Sequence, residues 1–368
     1  MTRQSDILCK VEGGVGWIKL NRPQAHNALS FEMIEILYKT LLQWKNDDHV
    51  AFICLEGEGD QALCSGGDVR ALYDLRNGNV KEYAFKFFST EYRMNMTMHR
   101  YSKPILVYMN GYVMGGGVGI AVGDSHRIVT EKTKWAMPEM DIGLYPDVGG
   151  SYFLPKMPGY IGRYLSLTSK TIRPEDALYI GAADYYMDSS SWLPLKEAIK
   201  EQSWSVDTAK DQLDELLNRF QQVSSQPSTI AQLEEKINCH FRFSTVEEIV
   251  ASLEAAAKEG DEWAAKTIKT ICKKSPTSLK VTLQQLINGK EKSMLECFEM
   301  ELEMSMNFMK SHDFFEGVRS VLVDKDRSPK WNPDTLEKVT KEDVDSFFRY
   351  EWAEGKNPLQ DFDVRNLL

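Results

Sequence analysis

The chain has 368 residues, 42% of them hydrophobic, and is long enough to bury a sizeable core. Its 44 lysine and arginine residues stand against 54 aspartate and glutamate residues, which gives a net charge of −10 at pH 7. This balance argues against general nucleic-acid binding, which requires a basic face. An enzyme of this charge acting on an anionic substrate would need cations placed locally at the mouth of its pocket.

Apolar runs and helical spacing alternate along the first half of the chain. The runs at 15–20, 51–55, 104–109 and 127–130 predict strands. Between the first two, apolar residues recur with helical spacing from Phe31 to Leu42, and Ser30 is placed to cap that helix. Strands that alternate with helices in this way predict an α/β core.

The strand pattern fades after about Lys170, and the later signals are typical of helices. The segment STVEE at 244–248 is a capping box, and Ser275-Pro276 supplies a cap and a first-turn proline. The methionine-rich segment 294–309 has helical spacing, which favours core packing over a cofactor site. A polar tract at 221–228 is the best linker candidate. We therefore predict a core of residues 1–225 and a mainly helical region, residues 226–368, packed on it.

Two glycine clusters each follow a predicted buried strand. The first contains Gly66-Gly67, and the second is the triplet at 115–117. Glycine lets a ligand approach the main chain closely, and a helix that begins there presents unpaired N–H groups. Two such junctions could place two N–H groups around one oxygen, as in an oxyanion hole. Glu139 and Asp147 follow the triplet, although such acids are also common in solvated loops, and such glycines in close packing.

In their order and spacing, these motifs resemble the crotonase, or enoyl-CoA hydratase/isomerase, superfamily. Within it, the chain is similar to the 3-hydroxyisobutyryl-CoA hydrolases. The matching motifs are NRP at 21–23, NAL at 27–29, CSGGD at 64–68, NG at 110–111, GGG at 115–117, MPE at 137–139, PDVGG at 146–150, SPTSL at 275–279, HDFFEGVR at 312–319 and SPKW at 328–331. The resemblance implies a spiral of ββα repeats and an acyl-CoA thioester hydrolase of valine catabolism, which releases 3-hydroxyisobutyrate and CoA.

The resemblance also implies roles for particular residues. The backbone N–H groups of Gly67 and Gly116 would form the oxyanion hole that holds the thioester oxygen. Glu139 aligns with the catalytic glutamate of the family, and Asp147 with an acid that hydrolases use at the acyl end. Glu91 aligns with a further substrate-binding acid, although a glutamate in a helix is ordinarily solvated.

One position departs from the pattern of the hydratases. They carry a second glutamate two residues after the glycine triplet, where this chain has Gly119. Hydration by paired glutamates is therefore disfavoured, and a single carboxylate acting as nucleophile or as base is favoured. The sequence leaves these two roles of Glu139 open. It also leaves open an isomerase that shuttles a proton between Glu139 and Asp147, and a non-catalytic CoA-binding protein.

The chain carries no pattern typical of a metal site. His126, His240 and His312 lie in separate motifs without ligand spacing, so no metal or redox cofactor is expected beyond the CoA of the substrate. The six cysteines form no CxxC pair, and a strand pattern begins within about ten residues of the start, which together predict a cytoplasmic protein. The only expected partner is the acyl-CoA substrate, with no membrane and no nucleic acid, and a homo-oligomer is left open.

Overall fold

The computed structural model describes residues 5–362, so residues 1–4 and 363–368 of the two predicted regions lie outside it. The strands are Ile7–Glu12 (β1), Val15–Leu20 (β2), Phe52–Gly57 (β3), Ala62–Cys64 (β4), Ile105–Met109 (β5), Tyr112–Met114 (β6), His126–Val129 (β7), Lys134–Ala136 (β8) and Tyr185–Tyr186 (β9). The helices of the first 225 residues are Phe31–Lys45 (α1), Val69–Asp74 (α2), Val80–His99 (α3), Gly116–Gly119 (α4), Gly150–Phe153 (α5), Ile161–Thr168 (α6), Pro174–Tyr179 (α7), Trp192–Glu201 (α8) and Ala209–Phe220 (α9).

The later helices are Thr229–Phe241 (α10), Val246–Lys258 (α11), Glu262–Ile271 (α12), Pro276–Gly289 (α13), Met294–Phe308 (α14), His312–Val318 (α15) and Lys341–Ser346 (α16). A π-helical segment, Arg319–Val323, follows α15. Short 3₁₀ turns occupy Pro23–Ala25, Glu139–Ile142, Leu154–Lys156, Ser189–Ser191 and Leu336–Lys338. No helix within residues 5–362 is both long enough and apolar enough to cross a bilayer.

The larger sheet has six strands in the order β1-β2-β3-β5-β7-β9, and only the β1–β2 pair is antiparallel. Along β3, Phe52 and Cys54 join an apolar cluster with α8 and α9, whereas Ile53 and Leu55 join the main core on the opposite face. Because both faces are covered here, the central strands β2, β3 and β5 are buried almost throughout and have largely apolar runs rather than alternating ones.

The smaller sheet consists of three parallel strands of three residues each, in the order β4-β6-β8. Each follows directly after one of three neighbouring strands of the larger sheet, β3, β5 and β7. Helices or a 3₁₀ turn come next in every case. This repetition confirms the predicted α/β spiral of ββα units.

Most local predictions in the larger sheet and the helices are confirmed. The four predicted strands correspond to β2, β3, β5 and β7 within two residues at each end. Ser30 caps α1 by accepting the N–H of Met33 at 3.3 Å, and Thr245 forms the predicted capping box with Glu248. The three strands of the smaller sheet were not predicted, because three residues are too few to show a period.

Helices of the C-terminal region pack directly on the core. Helix α14 contacts α3 and α5, α13 contacts α5 and α6, and α10 contacts α6 and α7. The methionines of α14 are buried at Met294, Met300, Met304 and Met306, which confirms core packing. One apolar cluster includes residues from both sides of position 225, and that boundary stays a prediction.

Candidate active site

The smaller sheet brings the predicted site residues together. Gly67 follows β4, Gly116 follows β6 and Glu139 follows β8, and these three strands are parallel neighbours. The carboxyl ends of parallel strands meet at one edge of a sheet, where ligands commonly bind in α/β proteins. Residues distant in sequence therefore converge at one place.

Two backbone N–H groups are available at this edge. A Cβ placed on Gly116 would lie 3.0 Å from the backbone nitrogen of Gly67, so the two glycines are in contact. Within residues 5–362, neither N–H donates a hydrogen bond to a protein acceptor. The pair can therefore donate to one oxygen on a ligand, as an oxyanion hole requires.

The two glycines open onto a cavity of about 470 Å³. Its apolar walls come from the following side chains: Phe87, Phe88, Ile142, Leu144, Val148, Val321 and Leu322. Its acidic lining includes Glu91, Glu139 and Asp147, with Asp68 and Asp141 further along. The π-helical segment closes one side, so the C-terminal region contributes part of the wall.

The three acids of the predicted site are all buried. Glu91 on α3 is 2% exposed, and Glu139 and Asp147 are each 6% exposed. Oε1 of Glu91 and Oε2 of Glu139 have no hydrogen-bond partner among the described residues. The alternative of solvated acids is therefore wrong for all three. Unpaired carboxyl oxygens beside an apolar cavity are available to a ligand.

Glu139 lies against the glycine triplet. A Cβ on Gly115 would come within 2.6 Å of Oε1 of Glu139, and Gly115 has a φ of +51°. The left-handed backbone favours glycine at this position, and any larger residue would also displace the carboxyl group of Glu139. The carboxyl group of Glu139 is thereby held next to the first turn that presents the N–H of Gly116.

Burial dominates the ionisation of these acids. It raises the pKa of Glu139 and of Glu91 well above the usual range, and the negative charge of Asp147 raises both further. Burial also raises the pKa of Asp147 to about 6, although a hydrogen bond from the hydroxyl of Tyr92, at 2.9 Å, opposes that rise. Carboxyl groups whose pKa values are raised in this way inside a cleft are candidates for acid–base or nucleophilic chemistry.

Packing explains why the second glutamate of the hydratases has no place here. A Cβ on Gly119 would lie 2.6 Å from Cβ of Val148 and 3.1 Å from Nδ2 of Asn95. Val148 is fixed by the loop that carries Asp147, so it cannot move aside cheaply. The space for a second carboxylate is filled by the Asp147 loop.

We expect Gly119→Glu to destabilise the protein rather than to create a hydratase. Overpacking a tight core site costs about 1–3 kcal/mol, and burying an added carboxyl group costs more. Urea unfolding of Gly119→Glu beside Gly78→Ala, an exposed position where an added Cβ would come no closer than 3.7 Å to its nearest neighbour, the carbonyl oxygen of Leu75, measures the effect. Unchanged stability together with new crotonyl-CoA hydration would contradict this account of the site.

The cations, the cysteine and the metal-binding residue types around the site also bear on function. Arg70 and Lys325 both line the cavity and are exposed, so they meet the expectation of cations near its mouth. Cys64 is buried, and burial raises the pKa of its thiol to about 12, which makes it a poor candidate for a nucleophile. Among residues 5–362, no group of three His, Cys, Asp or Glu side chains is placed to hold a metal ion.

Several residues around the site escaped the sequence analysis. Tyr92 contacts Asp147 directly, and Val148 fills the space beside Gly119. Glu301 accepts hydrogen bonds from the loop that follows Asp147. Glu301 had a detectable signal, because it is a charged residue on the buried, methionine-rich face of α14. Val148 lies within the PDVGG motif, but neither it nor Tyr92 carried a signal of the contact it makes.

Paired backbone donors at the edge of a small parallel sheet, with buried acids opposite, define a crotonase-type protein. The family model for enoyl-CoA hydratase/isomerase matches residues 15–348. The chain therefore belongs to the enoyl-CoA hydratase/isomerase family.

The chain is also similar to particular members of that family. It is 40% identical over 346 residues to the mitochondrial 3-hydroxyisobutyryl-CoA hydrolase of Danio rerio, covering 94% of this chain and 89% of the relative. Against the Homo sapiens protein of that name it is 39% identical over 351 residues, covering 94% and 88%. A crystal structure of a carnitinyl-CoA dehydratase from Mycobacterium thermoresistibile is similar with a TM-score of 0.88 at 36% identity, covering 96% of this chain and 99% of the other.

Proposed function

We propose that this protein is an acyl-CoA thioester hydrolase that acts on 3-hydroxyisobutyryl-CoA in valine catabolism. The observation that carries the proposal is the packing at Gly119, which leaves Glu139 beside the backbone donors without the second glutamate of a hydratase. The names of the relatives at about 40% identity support the same substrate.

The backbone donors account for activation of the thioester. Its carbonyl oxygen would accept from the N–H groups of Gly67 and Gly116, which stabilise the negative charge that forms when the carbonyl carbon is attacked. Loss of one such donor in an enzyme costs about 3–4 kcal/mol. Both donors belong to the main chain, so they need no reorganisation during the reaction.

Glu139 would carry out the attack as a carboxylate. It either bonds to the carbonyl carbon and displaces CoA thiolate, leaving an anhydride that water then opens, or it takes a proton from the water that attacks. In both routes the C–S bond breaks, and the thiolate leaves with a proton supplied by water. Asp147 would accept the hydrogen bond of the 3-hydroxyl group and orient the acyl chain, with Glu91 as a further contact of the substrate.

A second reaction on this scaffold has some support. The structural relatives at 36% and 33% identity are described as a carnitinyl-CoA dehydratase and an enoyl-CoA hydratase. An isomerase could likewise pass a proton between Glu139 and Asp147. None of these three reactions releases a free thiol, whereas hydrolysis does.

Lys325→Ala should raise KM for the acyl-CoA severalfold and leave kcat close to the wild-type value. Its ammonium group lies at the cavity mouth, where it would attract the phosphates of CoA but remain remote from the thioester. The contribution should shrink with added salt, because exposed charges are screened. Lys341→Ala, an exposed lysine on α16, is the control. A salt-independent loss of kcat would contradict this assignment.

The expectation that no metal or redox cofactor is needed is part of the proposal. Incubation with a chelator followed by gel filtration should leave thioester hydrolysis unchanged, because the groups assigned to carbonyl activation are backbone N–H donors. Loss of activity that a divalent cation restores would contradict it.

We also propose a cytoplasmic location, which fractionation of the source cells would test. The curated relatives are named as mitochondrial.

A panel of acyl-CoA thioesters assayed with a thiol reagent tests the proposed function. We expect the highest kcat/KM for short 3-hydroxyacyl chains, with 3-hydroxyisobutyryl-CoA at the top. If thiol release is fastest with unsubstituted acyl chains, 3-hydroxyisobutyryl-CoA is not the preferred substrate. Binding of every thioester without turnover would instead indicate a CoA-binding protein.

A further inference from the structure

The loop that carries Asp147 has a backbone that other contacts must hold. Val148, the next residue, has a φ of +50°, a left-handed conformation that β-branched residues rarely adopt. Conformations of this kind persist only where the surrounding structure fixes them, and they concentrate at functional sites. The orientation of Asp147 therefore depends on groups outside its own loop.

Helices of the C-terminal region supply such contacts. Glu301 on α14 is fully buried, and its two carboxyl oxygens accept the N–H groups of Gly149 and Ser151, each at 2.8 Å. On the other side of the loop, Nε2 of Gln285 on α13 donates to the carbonyl oxygen of Pro146 at 2.7 Å. The segment around Asp147 is thus bonded to two C-terminal helices, before and after the acid.

A chain of hydroxyl groups reaches Asp147 itself. Tyr92 donates to Oδ2 of Asp147 at 2.9 Å, and Oγ of Ser305 lies 2.7 Å from the same phenolic oxygen. Tyr145 donates to the carbonyl oxygen of Glu301 at 2.5 Å. Each hydroxyl has one proton to donate, so Ser305 is left to donate to a tyrosine oxygen. The arrangement leaves the proton of Tyr92 for Asp147.

We propose that Tyr92 and Glu301 are positioning residues for Asp147, through which helix α14 and the C-terminal region orient the acid that binds the acyl group. Neither side chain lines the cavity, so both act through Asp147 and its loop. This inference rests on the proposed function, in which Asp147 takes part as a carboxylate.

The ionisable groups that face Asp147 give the proposal a pH signature. These groups are acids and hydroxyls: Glu91, Tyr92, Glu139, Tyr145 and Glu301. His99 lies near Gly149, and burial lowers its pKa to about 4, so it is neutral at working pH. The bond from Tyr92 favours the ionised form of Asp147, and its removal should raise the pKa of that carboxyl group. The acidic limb of the pH–rate profile should then move to higher pH.

The first test compares Tyr92→Phe with Tyr164→Phe, a buried tyrosine on α6 outside this network. Tyr92→Phe should lower kcat about tenfold or more with little change in KM, since hydrogen bonds to charged groups are the stronger ones. Its acidic limb should move upward in pH, whereas Tyr164→Phe should show neither change. Added to Asp147→Asn, the Tyr92→Phe substitution should have almost no further effect, because the bond is already lost.

Equal losses from Tyr92→Phe in the wild-type and Asp147→Asn backgrounds, or an unmoved pH limb, would overturn the inference. Glu301→Gln gives a second measurement, because an amide offers one acceptor oxygen where the loop requires two. It should lower kcat with a smaller effect on KM in the folded protein. A rise in KM with an unchanged kcat would count against the role of Glu301. All rates are measured with whichever acyl-CoA the wild-type protein hydrolyses. If that substrate is not 3-hydroxyisobutyryl-CoA, the proposed substrate is wrong, but the test of Tyr92 and Glu301 still holds.

Discussion

Glu139→Gln should abolish thioester hydrolysis and leave acyl-CoA binding within about tenfold, a loss no larger than roughly 1.4 kcal/mol. The carboxylate is required either to attack the thioester or to deprotonate water, whereas binding depends mainly on the CoA moiety and the two backbone donors. Glutamine is nearly isosteric but is neither a useful nucleophile nor a base. The defect should therefore fall on the chemical step, which single-turnover rates and dissociation constants measure separately.

A matched control is Glu35→Gln, which removes an exposed carboxylate from α1, remote from the cavity. It should behave as the wild type in both measurements. Near-normal turnover by Glu139→Gln would exclude Glu139 from the mechanism. A large loss of binding with a normal single-turnover rate would make it a binding residue instead.

Asp147→Asn should reduce hydrolysis of 3-hydroxyacyl chains far more than hydrolysis of unsubstituted chains. Asparagine cannot accept the 3-hydroxyl as a carboxylate does, and hydrogen bonds to charged groups contribute about 1.5–3 kcal/mol, or roughly 10- to 150-fold. Glu35→Gln is again the control, since it removes an exposed acid remote from the cavity and should not discriminate between chains. An equal loss on both chain types would end the role of Asp147 as the hydroxyl-binding residue.

The same variant should change the pH dependence in a defined direction. Asp147 raises the pKa of Glu139 by charge repulsion, and both groups act in their ionised forms, so activity should fall as the pH drops through their raised pKa values. Replacing Asp147 with Asn removes the repulsion and should move the acidic limb to lower pH. This is opposite to the shift expected for Tyr92→Phe. If the acidic limb of the pH–rate profile does not move, the charge of Asp147 does not influence the pKa of Glu139.

The parts of the fold with a clear period were predictable from sequence. The central strands β2, β3 and β5 of the larger sheet are buried on both faces and have long apolar runs, and α1 has both a cap and an apolar face. The smaller sheet was not predictable, because β4, β6 and β8 are too short to differ from loops. Yet this sheet brings Gly67, Gly116 and Glu139 to one edge. The sequence itself pointed to the two glycine clusters and to Glu139, whereas the choice of Gly67 and Gly116 as donors came from the family resemblance, and the catalytic roles stay predictions.

The contacts that hold the site were the least visible in the sequence. Tyr92 and Ser305 lie more than two hundred positions apart and meet only after α14 packs on α3. The left-handed backbone of Val148 has no sequence signal, because valine is a poor residue for it. Long-range hydrogen bonds and strained conformations follow from tertiary packing, which neither composition nor periodicity records.

The most direct test of the central claim compares two reactions of the wild-type protein under the same conditions. One is thiol release from 3-hydroxyisobutyryl-CoA, and the other is hydration of crotonyl-CoA. With Gly119 packed against Val148 and Glu139 beside the two backbone donors, we expect hydrolysis to be much the faster. Hydration faster than hydrolysis would contradict the assignment of this protein as a thioester hydrolase.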